Sequence, residues 1–199
     1  VGYAPFPNEV IDLLRSNGII SIQGNYDRAV GYEETVCGCD YKDPKQLEMA
    51  GLSMMFTNEA VTDSSREYLR TLPQSITLEA EGLKVLVVHG SPRRINEYLF
   101  EDSQEVLEVT AELTADVLIC GHTHKPYHKV INGKHVINSG SVGKPKHGNP
   151  NATYVIVDLT DGKVNVETVE VSYDYEKVAS AIESDSLLPD AFAELLRKG

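Results

Sequence analysis

Apolar and polar residues follow two different periods along the chain, and together they indicate an α/β protein. In the stretch 7–18 and twice within 43–73, apolar residues recur every three or four positions, which predicts helices with one buried face. Asn8 occupies a capping position in the first of these helices. Short apolar runs instead predict three buried β-strands, at 19–23, 85–88 and 116–120.

The second half of the chain has the turn residues of successive hairpins. Asn132-Gly133 separates two alternating segments and is a strong hairpin signal, and similar turns are predicted at 81–82 and 160–162. A further helix is predicted within 101–115, and the tail 174–198 reads as helix interrupted by a proline. Helices that first alternate with strands, followed by hairpins, predict mixed β-sheets flanked by helices.

The length of 199 residues suits a single domain, which we predict to span 1–199. Within it, 31–73 is predicted to form a helical cap-like insertion and 174–199 a C-terminal helical tail. The sequence contains neither an apolar run of the roughly 20 residues that a membrane helix needs nor a secretory signal pattern, so we predict a cytoplasmic protein without membrane contact.

The net charge and the cysteines narrow the function further. With 18 Lys and Arg against 30 Asp and Glu, the chain carries a formal charge of −12, which argues against general nucleic-acid binding. A phosphate-bearing substrate would then need local positive charge, and a metal ion supplies it most compactly. Cys37 and Cys39 are too close for a relaxed disulfide, so free thiols are expected, with a metal or redox role as the alternative. Cys120 is expected to be a small core residue.

Polar residues follow each of the three predicted buried strands at the point where the strand ends. The sequences are Gly-Asn-Tyr-Asp at 24–27, His-Gly-Ser at 89–91 and Gly-His-Thr-His at 121–124. If the strands are parallel neighbours, their carboxyl ends meet at one edge, where α/β sheets bind ligands. Imidazole, carboxamide and carboxylate groups suit divalent ions such as Mn²⁺, Fe²⁺ and Zn²⁺, so a two-metal site is expected.

Each of these pieces, taken singly, also has an ordinary structural explanation. Asn25 is a common turn residue, His89 fits a hydrogen-bonded core histidine, and the pair His122 and His124 fits a surface hairpin. Whether the two histidines share one side depends on the backbone, because only an extended segment places alternate residues on the same side. The coincidence at three strand ends favours the metal site.

The ordered motifs resemble the calcineurin-like metallophosphoesterase family. The matching segments are "GNYD" for the family's Gly-Asn-His-Asp, "VVHGSP", "GHTH" and "INSGSVGKP", and the resemblance extends to about Leu159. It implies the fold of that family, a sandwich of mixed β-sheets flanked by helices, here lacking its first strands. It also implies a hydrolase of phosphoester bonds that uses two divalent metal ions, with Mn²⁺ expected and Fe²⁺, Zn²⁺ or Ni²⁺ as alternatives.

The resemblance also implies roles for individual residues. Asn25, His89 and His122 would bind one metal ion and His124 the other. The catalytic candidates follow Asn25 directly. Tyr26 stands at the position that contacts the phosphate or the leaving oxygen in the family, and Asp27 would orient it. Apart from the resemblance, the guanidinium of Arg28 is suited to hold a substrate phosphate. A surface salt bridge is the alternative for the guanidinium.

Two departures from the family pattern affect the expected activity. Tyr26 stands where most of the family has histidine, and a neutral phenol can donate a hydrogen bond but carries no positive charge, which weakens the case for a broad monoesterase. Branches of the family that lack this histidine are associated with phosphodiesters, and the sequence leaves both phosphodiesters and phosphomonoesters open as substrates. The family's Asp-X-His motif and bridging Asp would precede Val1, so we expect the numbering to begin within a longer polypeptide.

Three function classes therefore remain in view. The first is a phosphoesterase that acts on a small phosphorylated substrate, with nucleotide-like compounds among the candidates. The alternative is a catalytically degenerate scaffold, because the retromer subunit of the same fold serves as a protein-binding surface. The third is a mononuclear metal-binding regulator, which would bind one ion per chain and hydrolyse nothing. Metal-dependent turnover separates the enzyme from the other two classes. The sequence indicates no oligomeric state.

Overall fold

The computed structural model describes all 199 residues, and these form two compact units. The first unit comprises Val1–Pro73 and Asp174–Arg197, and the second comprises Gln74–Tyr173 and Lys198–Gly199. The prediction of one domain with an insertion at 31–73 stays a prediction. No helix of the structure is both long enough and apolar enough to cross a membrane.

The secondary structure consists of seven helices and seven strands. In chain order they are α1 (Pro7–Ser16), α2 (Asn25–Gly31), α3 (Pro44–Ala60), α4 (Asp63–Thr71), β1 (Ser75–Ala80), β2 (Leu83–Val88), α5 (Gln104–Glu112), β3 (Val117–Cys120), β4 (Tyr127–Ile131), β5 (Lys134–Asn138), β6 (Ala152–Thr160), β7 (Lys163–Val171), α6 (Tyr175–Glu183) and α7 (Ala191–Lys198). The two predicted helices of 43–73, the interrupted helical tail and the three hairpins are all present.

The first unit is helical, and its helices begin at residues that satisfy the exposed N–H groups of a first turn. Asp43 and Thr62 accept hydrogen bonds from backbone N–H groups at the starts of α3 and α4. Two apolar clusters hold the helices together. One contains Ile11, Tyr26, Val30, Met54 and Leu69, and the other contains Phe56, Ile182, Leu188, Phe192 and Leu196.

Two predictions for this unit are wrong. The run 19–23 forms no strand, because the strands of both sheets come from 75–171 and none of them pairs with this segment. Its Gln23 N–H donates instead to the Pro73 carbonyl at 2.7 Å, and Ile20 is 84% exposed. Asn8 does not cap α1, which begins at Pro7. Its carboxamide instead donates to the Ala60 carbonyl and accepts from the Thr62 N–H, so it links α1 to the turn between α3 and α4.

The second unit is built on a five-stranded sheet with the order β1-β2-β3-β5-β4. Its three central strands run parallel, with Val87 opposite Ile119 and Ile119 opposite Ile137, and antiparallel strands complete both edges. Since β2 and β3 are the predicted runs 85–88 and 116–120, the expectation of parallel neighbours is confirmed for these two strands.

Alternate residues of the central strands enter cores on opposite faces of this sheet. On one face, Val88, Leu118 and Val136 pack with residues of α5. On the other face, Val117 and Ile137 pack with residues of the two-stranded sheet β6-β7. The second unit is therefore a layered α/β/β structure whose central parallel strands all end at the same edge. The mixed sheets flanked by helices agree with the predicted fold class.

Candidate functional site

The carboxyl edge of the parallel strands is where the predicted histidines lie. The backbone ladder continues beyond the strands, because Gly121 N–H donates to the His89 carbonyl at 2.8 Å and Ser139 N–H to the Cys120 carbonyl at 3.1 Å. The loops that follow β2, β3 and β5 are therefore fixed to one another where they leave the sheet.

His89 and His122 come together at this edge. Their Nε2 and Nδ1 atoms are 3.1 Å apart, and the ring centroids are 5.0 Å apart. His122 is 5% exposed, and the ring of Tyr98 lies against it with a centroid distance of 4.1 Å. The remaining ring nitrogen, Nε2 of His122, is buried without a hydrogen-bond partner. Most buried polar atoms of folded proteins are hydrogen-bonded, so this nitrogen is suited to bind a ligand.

The loop that carries His122 and His124 is a turn. Both histidines have left-handed backbone conformations, with φ of 62° and 63°, and Thr123 N–H donates to the Gly121 carbonyl at 2.7 Å. A left-handed residue other than glycine costs on the order of 1–2 kcal/mol, so the surrounding contacts must hold this geometry. Of the two backbone possibilities that the sequence left open, the structure has the turn.

His124 is oriented by the loop that follows β5. Its Nδ1 lies 2.7 Å from the Lys144 carbonyl oxygen, and the Lys146 N–H donates to the His124 carbonyl at 3.3 Å. A carbonyl oxygen only accepts, so Nδ1 carries the hydrogen and Nε2 keeps its lone pair. This is the arrangement by which proteins commonly orient a histidine that binds a metal ion.

The local environment keeps both histidines neutral. Burial lowers the pKa of His122 to about 3, with further lowering from His89, His124 and Lys146. Burial likewise lowers the pKa of His124 to about 3, and Lys146 is the next cause. Neutral imidazole retains the lone pair that a metal ion or a proton donor requires.

Asn138 connects the loops and is a residue that the sequence analysis did not single out. Its side chain is fully buried, and its Nδ2 donates to the Gly121 carbonyl at 2.7 Å and to the Thr123 hydroxyl at 3.1 Å. Its Oδ1 accepts from Gly140 N–H at 3.0 Å. One carboxamide thus joins the end of β5 to the histidine loop.

Gly140 and Thr153 fix the loop that orients His124. The Thr153 hydroxyl accepts from Ser141 N–H at 2.9 Å and donates to the Ser139 carbonyl at 3.1 Å. Gly140 has a φ of 76°, and a Cβ at this position would lie 2.0 Å from the Thr153 hydroxyl. The glycine of the "INSGSVGKP" segment is therefore needed both for its backbone angle and for space.

A buried carboxylate fixes the loop that follows β2. Glu97 is 4% exposed and accepts hydrogen bonds from the Ser91 hydroxyl and from both neighbouring arginines, with Arg93 Nη2 at 2.8 Å and Arg94 Nη2 at 3.0 Å. Burial acts to raise the pKa of Glu97, but the hydrogen bonds from Arg93, Ser91 and Arg94 outweigh it and lower the pKa to about 2. The loop that begins at His89 is thereby fixed at Ser91.

Asn25 and Tyr26 lie in the first unit, at the start of α2. The Asn25 side chain is buried, and its Nδ2 donates to the Cys37 carbonyl at 2.9 Å and to the Cys39 sulfur at 3.2 Å. Tyr26 is 5% exposed within an apolar cluster, and its hydroxyl donates to Ser53 Oγ at 3.3 Å. Burial raises the pKa of Tyr26. The metal role of Asn25 and the catalytic role of Tyr26 stay predictions.

The other two catalytic candidates have local contacts within the same unit. Asp27 Oδ2 accepts from Gly24 N–H at 2.7 Å and so closes the first turn of α2. The Arg28 guanidinium lies 3.5 Å from the Glu34 carboxylate, and both side chains are exposed. The surface ion pair that was the alternative for Arg28 is thus present, and its phosphate-binding role stays a prediction. Cys37, Cys39 and Cys120 are all free thiols.

The residues at the sheet edge fit a divalent ion in part. No three His, Cys, Asp or Glu side chains converge as a complete metal cluster. The fit consists of the unpartnered Nε2 of His122, the free lone pair of His124 and the neighbouring ring of His89. Neutral imidazoles of this kind suit first-row divalent metals.

Comparisons with known proteins agree with this fold. A family model described as the calcineurin-like phosphoesterase superfamily domain matches residues 4–162. An uncharacterized protein of Methanocaldococcus jannaschii is 30% identical over 217 residues, which cover 100% of this chain and 83% of that protein. A probable metallophosphoesterase of Methanothermobacter thermautotrophicus is 32% identical over 93 residues, which cover 47% of this chain and 51% of that protein.

Two solved structures have the same fold over the whole chain. The crystal structure of a hypothetical protein from Pyrococcus horikoshii OT3 superposes with a TM-score of 0.83 at 23% identity, covering 100% of this chain and 82% of the other. The crystal structure of a metallophosphoesterase from Sphaerobacter thermophilus gives a TM-score of 0.78 at 23% identity, covering 100% and 84%.

Proposed function

Since this chain belongs to the calcineurin-like phosphoesterase superfamily, we propose that it hydrolyses phosphoester bonds with the help of two divalent metal ions. The substrate that we propose is small and phosphorylated, with a phosphodiester favoured over a monoester. Mn²⁺ is the preferred metal of this proposal, and Fe²⁺, Zn²⁺ and Ni²⁺ are the alternatives.

The observation that carries the proposal is the buried Nε2 of His122, which has no partner and lies at the sheet edge beside His89. In the proposal, His89 and His122 bind one ion together with Asn25, and His124 binds the other. Ions held there would lower the pKa of water and neutralise phosphate charge during attack on phosphorus.

The residues around the histidines support this role by holding them still. The Lys144 carbonyl fixes the tautomer of His124, and the Asn138 carboxamide fixes the turn that carries both His122 and His124. Such outer contacts commonly matter to a metal site almost as much as the ligands. The ammonium group of Lys146 lowers the pKa of both histidines, so positive charge is available near an incoming phosphate.

For the catalytic candidates of the first unit we propose weaker, supporting roles. Tyr26 would act as a neutral hydrogen-bond donor, since burial raises the pKa of its hydroxyl and Ser53 already orients it. Asp27 would keep Tyr26 in place through the first turn of α2. Arg28 would contact phosphate only by leaving its exposed partner Glu34.

Hydrolysis of bis-p-nitrophenyl phosphate and p-nitrophenyl phosphate by the full chain tests the proposal. The assays contain Mn²⁺, Fe²⁺, Zn²⁺ or Ni²⁺, or a chelator. The variants are His89→Ala and His122→Ala. The matched control is His128→Ala, because His128 forms a similar imidazole pair with His135, at 2.9 Å, but on the exposed β4-β5 hairpin. We expect metal-dependent turnover in the wild type and the control, and a loss of about 100-fold or more in the two variants.

Equal turnover in His122→Ala and the wild type would overturn the assignment of the site. No turnover of either compound with any of the four metals would favour the alternative of a catalytically degenerate, protein-binding scaffold. A higher rate on the diester than on the monoester is the expected result for a chain with Tyr26 in place of histidine.

A further inference from the structure

A groove lies beside the histidine loop of the second unit, and the proposed hydrolysis leaves it without a role. Its volume is about 420 Å³, and its walls come from the loop before α5 and from the loop between β3 and β4. This volume falls within the roughly 300–1,000 Å³ of typical small-molecule sites. Thr123, between the two histidines, forms part of its wall.

An aromatic ring connects this groove to His122. The Tyr98 ring contacts the His122 ring at a centroid distance of 4.1 Å and stacks on the Phe100 ring at 5.6 Å with an angle of 9° between the planes. Phe100 lines the groove and is 44% exposed. The Tyr98 ring therefore contacts the candidate metal ligand His122 on one side and the exposed Phe100 ring on the other.

The polar groups of the groove offer hydrogen bonds of both kinds. Lys125 and Glu101 line it with exposed side chains, and neither side chain forms an ion pair. Asp102, by contrast, is paired with Lys129 at 2.6 Å. The groove thus combines an aromatic wall with a free donor and a free acceptor. An alkyl chain would leave these charged groups unused, whereas a planar heteroaromatic ring can stack and form hydrogen bonds at its edge.

We propose that this groove binds the nucleobase, or a similar heteroaromatic ring, of a phosphodiester whose phosphate is hydrolysed at the histidines. The ring would stack on Phe100, and Lys125 and Glu101 would contact its polar edge. This inference rests on the proposed function, which it extends from phosphodiesters in general to those carrying a nucleoside.

Two substrates with the same leaving group isolate the groove. Thymidine 5′-(p-nitrophenyl phosphate) and methyl p-nitrophenyl phosphate both release p-nitrophenol, and only the first carries a base. In the wild type with Mn²⁺, we expect the nucleoside ester to have the higher kcat/KM, mainly through a lower KM. Phe100→Ala should lower that advantage by about 5- to 100-fold, the range of base stacking on an aromatic side chain, and leave the methyl ester unchanged.

Leu107→Ala is the matched control, because Leu107 is also 44% exposed and apolar but lies on α5 outside the groove. It should keep the wild-type preference. Lys125→Ala and Glu101→Gln should each reduce the preference less than Phe100→Ala does, since each removes one edge contact. We expect the thermal unfolding midpoints of all variants to lie near that of the wild type, because the altered side chains are exposed.

The outcomes separate this inference from the proposed function. Hydrolysis of both esters with equal kcat/KM in the wild type would overturn the nucleobase groove and leave the phosphoesterase in place. If neither ester is hydrolysed, the binding of unphosphorylated thymidine tests the groove by itself. Ligand-observed NMR in the presence of chelator measures this binding. Binding that Phe100→Ala abolishes would support the groove without the hydrolase, and absence of binding in the wild type would overturn both.

Discussion

The Nδ1 atom of His124 donates a hydrogen bond to the carbonyl oxygen of Lys144, 2.7 Å away and twenty residues later in the chain. The contact is to the backbone, so it depends on the path of the 139–146 loop and persists whatever side chain Lys144 carries. Mutations that shift this loop should therefore affect the candidate metal site without changing a proposed ligand.

Gly140 offers the clearest test of that dependence. Gly140→Ala should destabilise the protein by about 3 kcal/mol, because a Cβ would collide with the Thr153 hydroxyl and the backbone is left-handed. Gly133→Ala is matched, since Gly133 has the same φ of 76° but open space around it, and should cost only about 1 kcal/mol. Urea unfolding measures both changes, and equal losses would contradict the steric argument.

Substitution of Asn138 should destabilise the protein more than the modest size of this side chain suggests. Asn138→Asp replaces a buried donor with an acceptor facing the Gly121 carbonyl, so we expect a loss of about 3 kcal/mol or more in unfolding free energy, and weaker metal binding. Asn132→Asp makes the same chemical change in an exposed turn and should be nearly neutral. Urea unfolding and metal titration are the measurements; if Asn138→Asp behaved like the control, Asn138 would not hold the loop.

Metal binding at the candidate site should raise the free energy of unfolding. At a Mn²⁺ concentration 100 times its dissociation constant, the wild type should gain about 2.7 kcal/mol, and chelator should remove this gain. His122→Ala should show little response, whereas His128→Ala, at the exposed imidazole pair, should respond as the wild type does. Thermal melts with and without metal follow the effect, and a full response in His122→Ala would place the metal elsewhere.

Glu97 should make the free energy of unfolding depend on pH in the acidic range. Its pKa is lowered from 4.5 to about 2 in the folded state, so the stability that it contributes is fully present above pH 4.5 and is lost as the pH falls towards 2. At pH 7, the Glu97→Gln variant should be less stable than the wild type. On acidification, it should lose less unfolding free energy than the wild type does. Glu112→Gln, an exposed change on α5, is the control. Parallel pH dependence in Glu97→Gln and the wild type would contradict the assignment.

The sequence predicted those elements whose residues carry their own local signals. Thr62 caps α4 and an Asn-Gly turn joins β4 to β5, and both signals operate whatever surrounds them. The run 19–23 lacked such a signal, because an apolar run only indicates burial. A strand also needs a partner, and Ile19 and Ile20 remain exposed without one.

The candidate site was predictable by residue type and not by geometry. The sequence indicated His89, His122 and His124 as candidates because they come directly after predicted strands. The left-handed backbone of His122 and His124, however, has no signal in "GHTH". Asn138 belongs to the "INSGSVGKP" segment, but nothing in that segment indicates which groups its side chain contacts. Its side-chain partners include Gly121 and Thr123, which become its neighbours only when β3 and β5 pair.

The continuation of the sheet ladder into the loops makes the candidate site a consequence of strand register. Val87 pairs with Ile119, and the hydrogen bond from Gly121 to His89 is the next rung of the same ladder. A slip of one residue between β2 and β3 would exchange the two faces of β3 and carry the histidine turn away from His89. The imidazole pair can therefore form only in the correctly aligned sheet, so ligand capture at these histidines would select against misaligned folding intermediates.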